Sequence, residues 1–108
     1  MTSPRLLLVD DDPDMGFVVR ILARRCGHTL THRLDAENAW TNLDGDRPDL
    51  ILLDVNLPGT SGLEFLKRLR ASVTYATLPV ALFVQASLTR DIAEGWASGA
   101  DYTSRRIS

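Results

Sequence analysis

The sequence predicts an α/β domain built on a doubly wound parallel sheet, and three observations carry that prediction. Short unbroken apolar runs recur along the chain, as expected for strands buried on both faces. Segments with apolar residues at helical spacing lie between them, so strand and helix alternate. The composition is 44% hydrophobic and 24% charged, close to that of an average soluble globular domain. A chain of 108 residues forms one domain and buries about two-thirds of the surface it exposes when unfolded.

The elements follow in order. Arg5–Val9 is the first apolar run and ends in Asp10-Asp11-Asp12-Pro13. Asp12 suits an N-cap and Pro13 the first helical position, where its missing N–H is harmless. Met15, Val18, Val19, Leu22 and Cys26 give the first helix one apolar face, and Gly27 ends it. His28–Leu34 reads as a second, weaker strand. Asp35 caps a short helix bearing Ala36, Ala39, Trp40 and Leu43, which stops near Gly45. Leu50–Leu53 is the clearest buried strand and ends in Asp54. Val55–Gly62 is rich in turn residues, and the helix after it carries Leu63, Leu66 and Leu69 on one stripe. Leu78–Val84 is the fourth strand, with Pro79 tolerated at its start. Ser87 or Thr89 caps a helix with Ile92, Ala93 and Trp96 that Gly99 closes, and Ala100–Thr103 makes a short fifth strand. No repeat or linker divides residues 1–108.

Several classes are disfavoured at once. Cys26 stands alone, so no internal disulfide forms, and no Cys or His pair has zinc-ligand spacing. The apolar stretches fall far short of the roughly 20 residues that cross a bilayer, and the N-terminus does not resemble a secretory signal. The expected compartment is the cytoplasm, with no membrane contact. A net charge of -2 gives no reason to expect direct nucleic-acid binding. The arginines at 24–25, 68 and 70, and 105–106 read as solvated helix faces and chain end. Trp40 and Trp96 read as packing residues and Cys26 as a helix-face residue. His28 and His32 fall on the second strand, away from the acids, as neither ligands nor catalysts.

Chemistry in an open parallel sheet collects beyond the carboxyl ends of its strands. Asp10, Asp11 and Asp12 follow the first strand and Asp54 ends the third, three or four carboxylates for one site. In the flavodoxin-like order 2-1-3-4-5 these strands are neighbours, and the carboxylates converge on one crevice. Two carboxylates about 4 Å apart repel by about 4 kcal/mol at an effective dielectric near 20. Such a cluster either holds a proton or binds a cation. Oxygen-only ligands favour Mg²⁺, with Mn²⁺ or Ca²⁺ as alternatives. Asp12 is read as the helix cap.

The run Leu7–Pro13, followed by Pro48–Gly59 and Gly62, resembles the receiver domain of two-component response regulators. The resemblance continues through Leu78-Pro79-Val80 and Gly99-Ala100-Asp101, nearly the whole chain. It implies that Asp54 accepts a phosphoryl group from a phosphohistidine on a sensor histidine kinase or phosphotransfer protein. It also implies that Asp10 and Asp11 hold Mg²⁺ with Asp54 and the backbone carbonyl of Asn56. Pro58-Gly59 then shapes the loop after the nucleophile, and Gly62 leaves space for the approach of the next helix. Such a domain is no enzyme beyond its self-catalysed phosphoryl acceptance.

The chain departs from that family at its switch positions. Where the family carries Thr or Ser, counting back from Gly99-Ala100 gives Val84, followed by Gln85. Valine has threonine's shape without its hydroxyl. Ser87 serves only in a shifted register. No lysine follows the fifth strand, and Arg105 takes its place with one deletion, Arg106 without a gap. Arginine keeps the charge on a longer planar fork. The family's fifth helix is missing, which reads as truncation from a longer parent, with a homodimer or a missing downstream domain covering the exposed apolar face. A second reading is therefore a pseudo-receiver, an interaction module that works without phosphorylation. An Asp-nucleophile phosphatase fits poorly, because Asn56 stands where a second acid belongs. A flavin site lacks its phosphate loop.

Overall fold

A computed structural model describes residues 3–85 and 99–106. Its elements are β1 (Arg5–Val9), α1 (Pro13–Arg25), β2 (Thr29–Arg33), α2 (Ala36–Asp46), β3 (Leu50–Asp54), α3 (Gly62–Ala71), β4 (Val80–Gln85) and β5 (Tyr102–Arg106). The five strands form one parallel sheet in the order β2-β1-β3-β4-β5. This is the order expected from the sequence. The expected helix carrying Ile92, Ala93 and Trp96, with its caps Ser87 or Thr89, lies outside the described residues.

Alternation along the strands sorts side chains onto two faces. Leu7 and Val9 of β1, Ile51 and Leu53 of β3, and Val80 and Leu82 of β4 join Ala36, Ala39 and Leu43 of α2 and Phe65, Leu66 and Leu69 of α3 in one buried cluster. Each large aliphatic or aromatic side chain buried there stabilises the fold by roughly 1.5–3 kcal/mol. Trp40 packs edge-on against Phe65 and Tyr75, with centroids 6.3 and 5.9 Å apart, at the rim of this layer. The expected stripe on α3 omitted Phe65, which is among the most buried side chains.

Helix α1 corrects the expected apolar face. Its buried residues are Gly16 and Ala23, whereas Phe17, Val18, Ile21 and Leu22 are exposed. Cys26 is the C-cap and is also exposed. The physical reason is close approach: small residues let the helix axis sit near β2, and the bulkier apolar side chains are turned outward.

Boundaries shift slightly elsewhere. Strand β4 starts after Pro79, whose carbonyl accepts from Ile51 N–H while the ring itself can donate nothing. Strand β5 begins at Tyr102 rather than Ala100, because Asp101 ends the turn. Its carboxylate accepts from Val80 N–H at 2.8 Å. Helix α2 continues through Gly45 and ends when Arg47 takes a left-handed conformation, φ 46°.

Arg70 closes the far side of the fold. The arginines at 68 and 70 were expected to be solvated, yet Arg70 is only 19% exposed. Its guanidinium donates to the carbonyls of Gly99 at 2.7 Å and Leu78 at 2.7 Å, with longer bonds to Tyr75 and Ala76. It also pairs with Asp101 at 2.9 Å. These carbonyls come from the segment after α3 and the turn before β5, and a planar five-donor group collects them. Arg68 is more open. It lies over the Trp40 ring at 4.0 Å and pairs with Glu37 at 3.3 Å.

Candidate functional site

The site forms where β1 and β3 end side by side. Val9 pairs with Leu53 in the parallel register, so the next residues, Asp10 and Asp54, leave the sheet as neighbours. Both are buried, at 4% and 3% exposure, whereas Asp11 is exposed at the mouth. One carboxylate oxygen from each of Asp10, Asp11 and Asp54 lies within 4.8 Å of the others. The expected convergence of the three acids is what the structure shows.

Backbone geometry fixes two of these side chains. Asp12 N–H donates to Asp10 Oδ1 at 3.0 Å, and Asn56 N–H donates to Asp54 Oδ1 at 3.1 Å. Each buried carboxylate is therefore held by the amide two residues further on, an Asx-type turn at the strand end. Asp12 plays the capping part expected of it: its side chain accepts from Asp14 N–H at 2.9 Å and starts α1.

The loop after Asp54 is shaped by close packing. Gly62 N–H donates to the carbonyl of Val55 at 3.0 Å. A Cβ at Gly62 would collide with the backbone of Asp54 and Val55. The first turn of α3 thus presses against the peptide that carries the nucleophile candidate, and only glycine admits it. Gly59 turns the loop with φ 73°. Thr60 anchors the loop to α2 through Glu37 at 3.1 Å.

The donor set suits a hard divalent cation. Carboxylate oxygens and water are the ligands Mg²⁺ takes, in octahedral geometry at about 2.0–2.1 Å. Oxygens gathered within 4.8 Å need only a small inward movement to meet around such an ion. Among the described residues the cluster offers oxygen donors, so it fits magnesium rather than a thiolate or imidazole metal.

The remaining candidates are placed by backbone alone. Val84 of β4 pairs with Arg105 of β5, and Gln85 with Arg106. Asp54 pairs with Phe83, so Val84 and Arg105 stand one step further toward the carboxyl end of the sheet.

One neighbour of the acids was not expected. His32, placed away from the site by sequence reasoning, has Nε2 2.7 Å from the backbone carbonyl oxygen of Asp10. His32 pairs with Leu8 on the α1 side of the sheet, and its ring reaches past the strand end. The available signal was a glycine at the end of the first turn of α1, a residue that helix propensity disfavours.

Comparison with known proteins agrees with this geometry. Residues 6–103 match the family model of the response regulator receiver domain. The chain belongs to that family. It is 36% identical over 97 residues to the DNA-binding response regulator MtrA of Mycolicibacterium smegmatis, covering 90% of this chain and 41% of that protein. It is also 36% identical over 98 residues to the transcriptional regulatory protein AfsQ1 of Streptomyces coelicolor, covering 91% and 42%. Among solved structures, the chemotaxis protein CheY4 of Vibrio cholerae superposes with TM-score 0.89 at 25% identity, over 99% of this chain and 89% of that one. The chain therefore spans about two-fifths of the length of those curated relatives. It is a receiver domain of two-component signalling. Among the described residues, no helix is long and apolar enough to cross a membrane.

Proposed function

We propose that Asp54 is the phosphoacceptor of this receiver and that Asp10 and Asp11 hold Mg²⁺ with it, joined by the backbone carbonyl of Asn56. The observation that supports this most is the meeting of three carboxylates at the ends of adjacent strands, two of them buried. A carboxylate oxygen of Asp54 attacks phosphorus, an O–P bond forms, and the N–P bond of a phosphohistidine donor breaks. Mg²⁺ held by these residues would supply charge neutralisation for the phosphoryl oxygens. Around it, the Asn56 amide keeps one Asp54 oxygen fixed, and the close packing of Gly62 fixes the peptide.

Arg105 is the proposed substitute for the family's lysine. Its register position beside Val84 supports this, and a guanidinium binds phosphate oxygens well. The donor is a sensor histidine kinase or a phosphotransfer protein. Phe17, Val18, Ile21 and Leu22 lie exposed on the helix that starts directly after the acids and offer an apolar surface to such a partner or to a second copy of the chain. The domain acts in the cytoplasm, and its output passes through protein contact or a downstream segment.

The test uses Mg²⁺ and acetyl phosphate, followed by intact mass spectrometry. The expected result is one added phosphoryl mass on the native chain and none on Asp54→Asn. No labelling of the native chain, under conditions that label an ordinary receiver, overturns the proposal. That result would favour the pseudo-receiver reading, to which the hydroxyl-free Val84 at the end of β4 points.

A further inference from the structure

We infer that His32 and Gly16 form a matched pair that positions the metal-binding turn, with His32 as a positioning residue for the acidic site. The inference rests on the reading of Asp10 and Asp11 as Mg²⁺ ligands.

The peptide at Asp10 is held from β2 at both of its ends. Its N–H donates to the carbonyl of Arg33 at 3.1 Å, a bond that continues the β1–β2 ladder by one step. Its C=O lies beyond the ladder, where β2 offers no further N–H. His32 Nε2 meets that oxygen at 2.7 Å. A carbonyl oxygen only accepts, so Nε2 carries the hydrogen and donates it. The imidazole thus replaces a strand neighbour at the point where β1 must turn to present Asp10 and Asp11. Asp12 N–H then closes the turn onto the Asp10 carboxylate.

This bond requires the ring to lie under α1, and α1 is built to admit it. Gly16 is on the buried side of the helix, and a Cβ there would collide with three atoms of the His32 ring. Glycine inside a helix is destabilising relative to alanine. No turn or positive φ explains it here, since Gly16 is absent from the positive-φ residues. The space it leaves is filled by the imidazole. The two positions are therefore one device: the glycine makes room, the histidine reaches through to the carbonyl, and the turn between β1 and α1 is fixed on both sides. Residues that orient metal ligands without touching the metal commonly change affinity 10–100-fold when removed.

The experiment titrates Mg²⁺ calorimetrically into the native chain and into His32→Ala, His32→Gln, Gly16→Ala and the His32→Ala/Gly16→Ala double variant, with thermal unfolding recorded for each. Glutamine places an amide N–H near the position of Nε2 and serves as the conservative replacement. The expected result is a loss of Mg²⁺ affinity of about tenfold in His32→Ala and its return to within about twofold in His32→Gln. Gly16→Ala should lower affinity when His32 is present and change nothing further when it is absent, the non-additivity of a coupled pair. A native chain that binds Mg²⁺ and a His32→Ala variant that binds it equally well overturn this inference and leave the acidic site standing. A native chain that binds no Mg²⁺ overturns the metal reading, and this inference with it.

Discussion

The molecule contains two charged assemblies of opposite design. At the carboxyl ends of β1 and β3, three like charges are gathered within 4.8 Å. Around Arg70, one cation is surrounded by acceptors: the carbonyls of Gly99, Tyr75, Ala76 and Leu78, and the carboxylate of Asp101. The second arrangement is what stability asks for, because hydrogen bonds to the surrounding acceptors offset the cost of burying the cation. The first sets carboxylates beside one another, the donor set of a hard cation. Gathering like charges is therefore the mark of a site, and satisfying opposite ones is the mark of scaffold.

That contrast can be broken experimentally. The largest effect is expected for Asp10→Asn, which should reduce Mg²⁺ affinity by about a hundredfold or more while leaving thermal stability without metal unchanged or raised. Calorimetric titration with an unfolding scan in chelator reads both. Arg70→Met should do the reverse, with a loss of about 3 kcal/mol in denaturant unfolding and Mg²⁺ affinity unchanged while the protein is folded. A fall in metal affinity in Arg70→Met would dissolve the distinction between the two assemblies.

A smaller effect sharpens it. The Arg33–Asp46 bridge joins β2 to the end of α2, with two hydrogen bonds at 3.0 and 2.8 Å. Those bonds to Asp46 hold the guanidinium above its ordinary pKa, outweighing the opposing effect of burial. Arg33→Met should lose about 1 kcal/mol by the same unfolding measurement. Its value against Arg70→Met measures how much the carbonyls around Arg70 contribute beyond an ion pair.

The two assemblies also differ in how far the sequence disclosed them. The acids were legible because strand β3 is an uninterrupted apolar run and β1 nearly so, which makes the first charged residue after each unmistakable. Strand order then brought them together. Arg70 was not legible, because most of its partners are backbone carbonyls, and any sequence offers carbonyls. The face of α1 was misread for a related reason. Its buried residues are Gly16 and Ala23, which carry little hydropathy, while Val18 and Leu22 carry much and point outward. His32 escaped notice because its partner is again a main-chain oxygen. Hydrophobic periodicity reports burial of large side chains and is silent where the backbone itself is the partner.

The chain of contacts from Thr60 to Trp40 has a consequence of another kind. Thr60 belongs to the loop after Asp54 and bonds to Glu37, Glu37 pairs with Arg68, and Arg68 lies 4.0 Å over the indole of Trp40. An indole beneath a cation emits light in that cation's electric field, so a displacement of the loop is passed to the ring as a change of field. The loop beside Asp54 is thereby linked to the optical spectrum of a tryptophan in the packed layer beneath it.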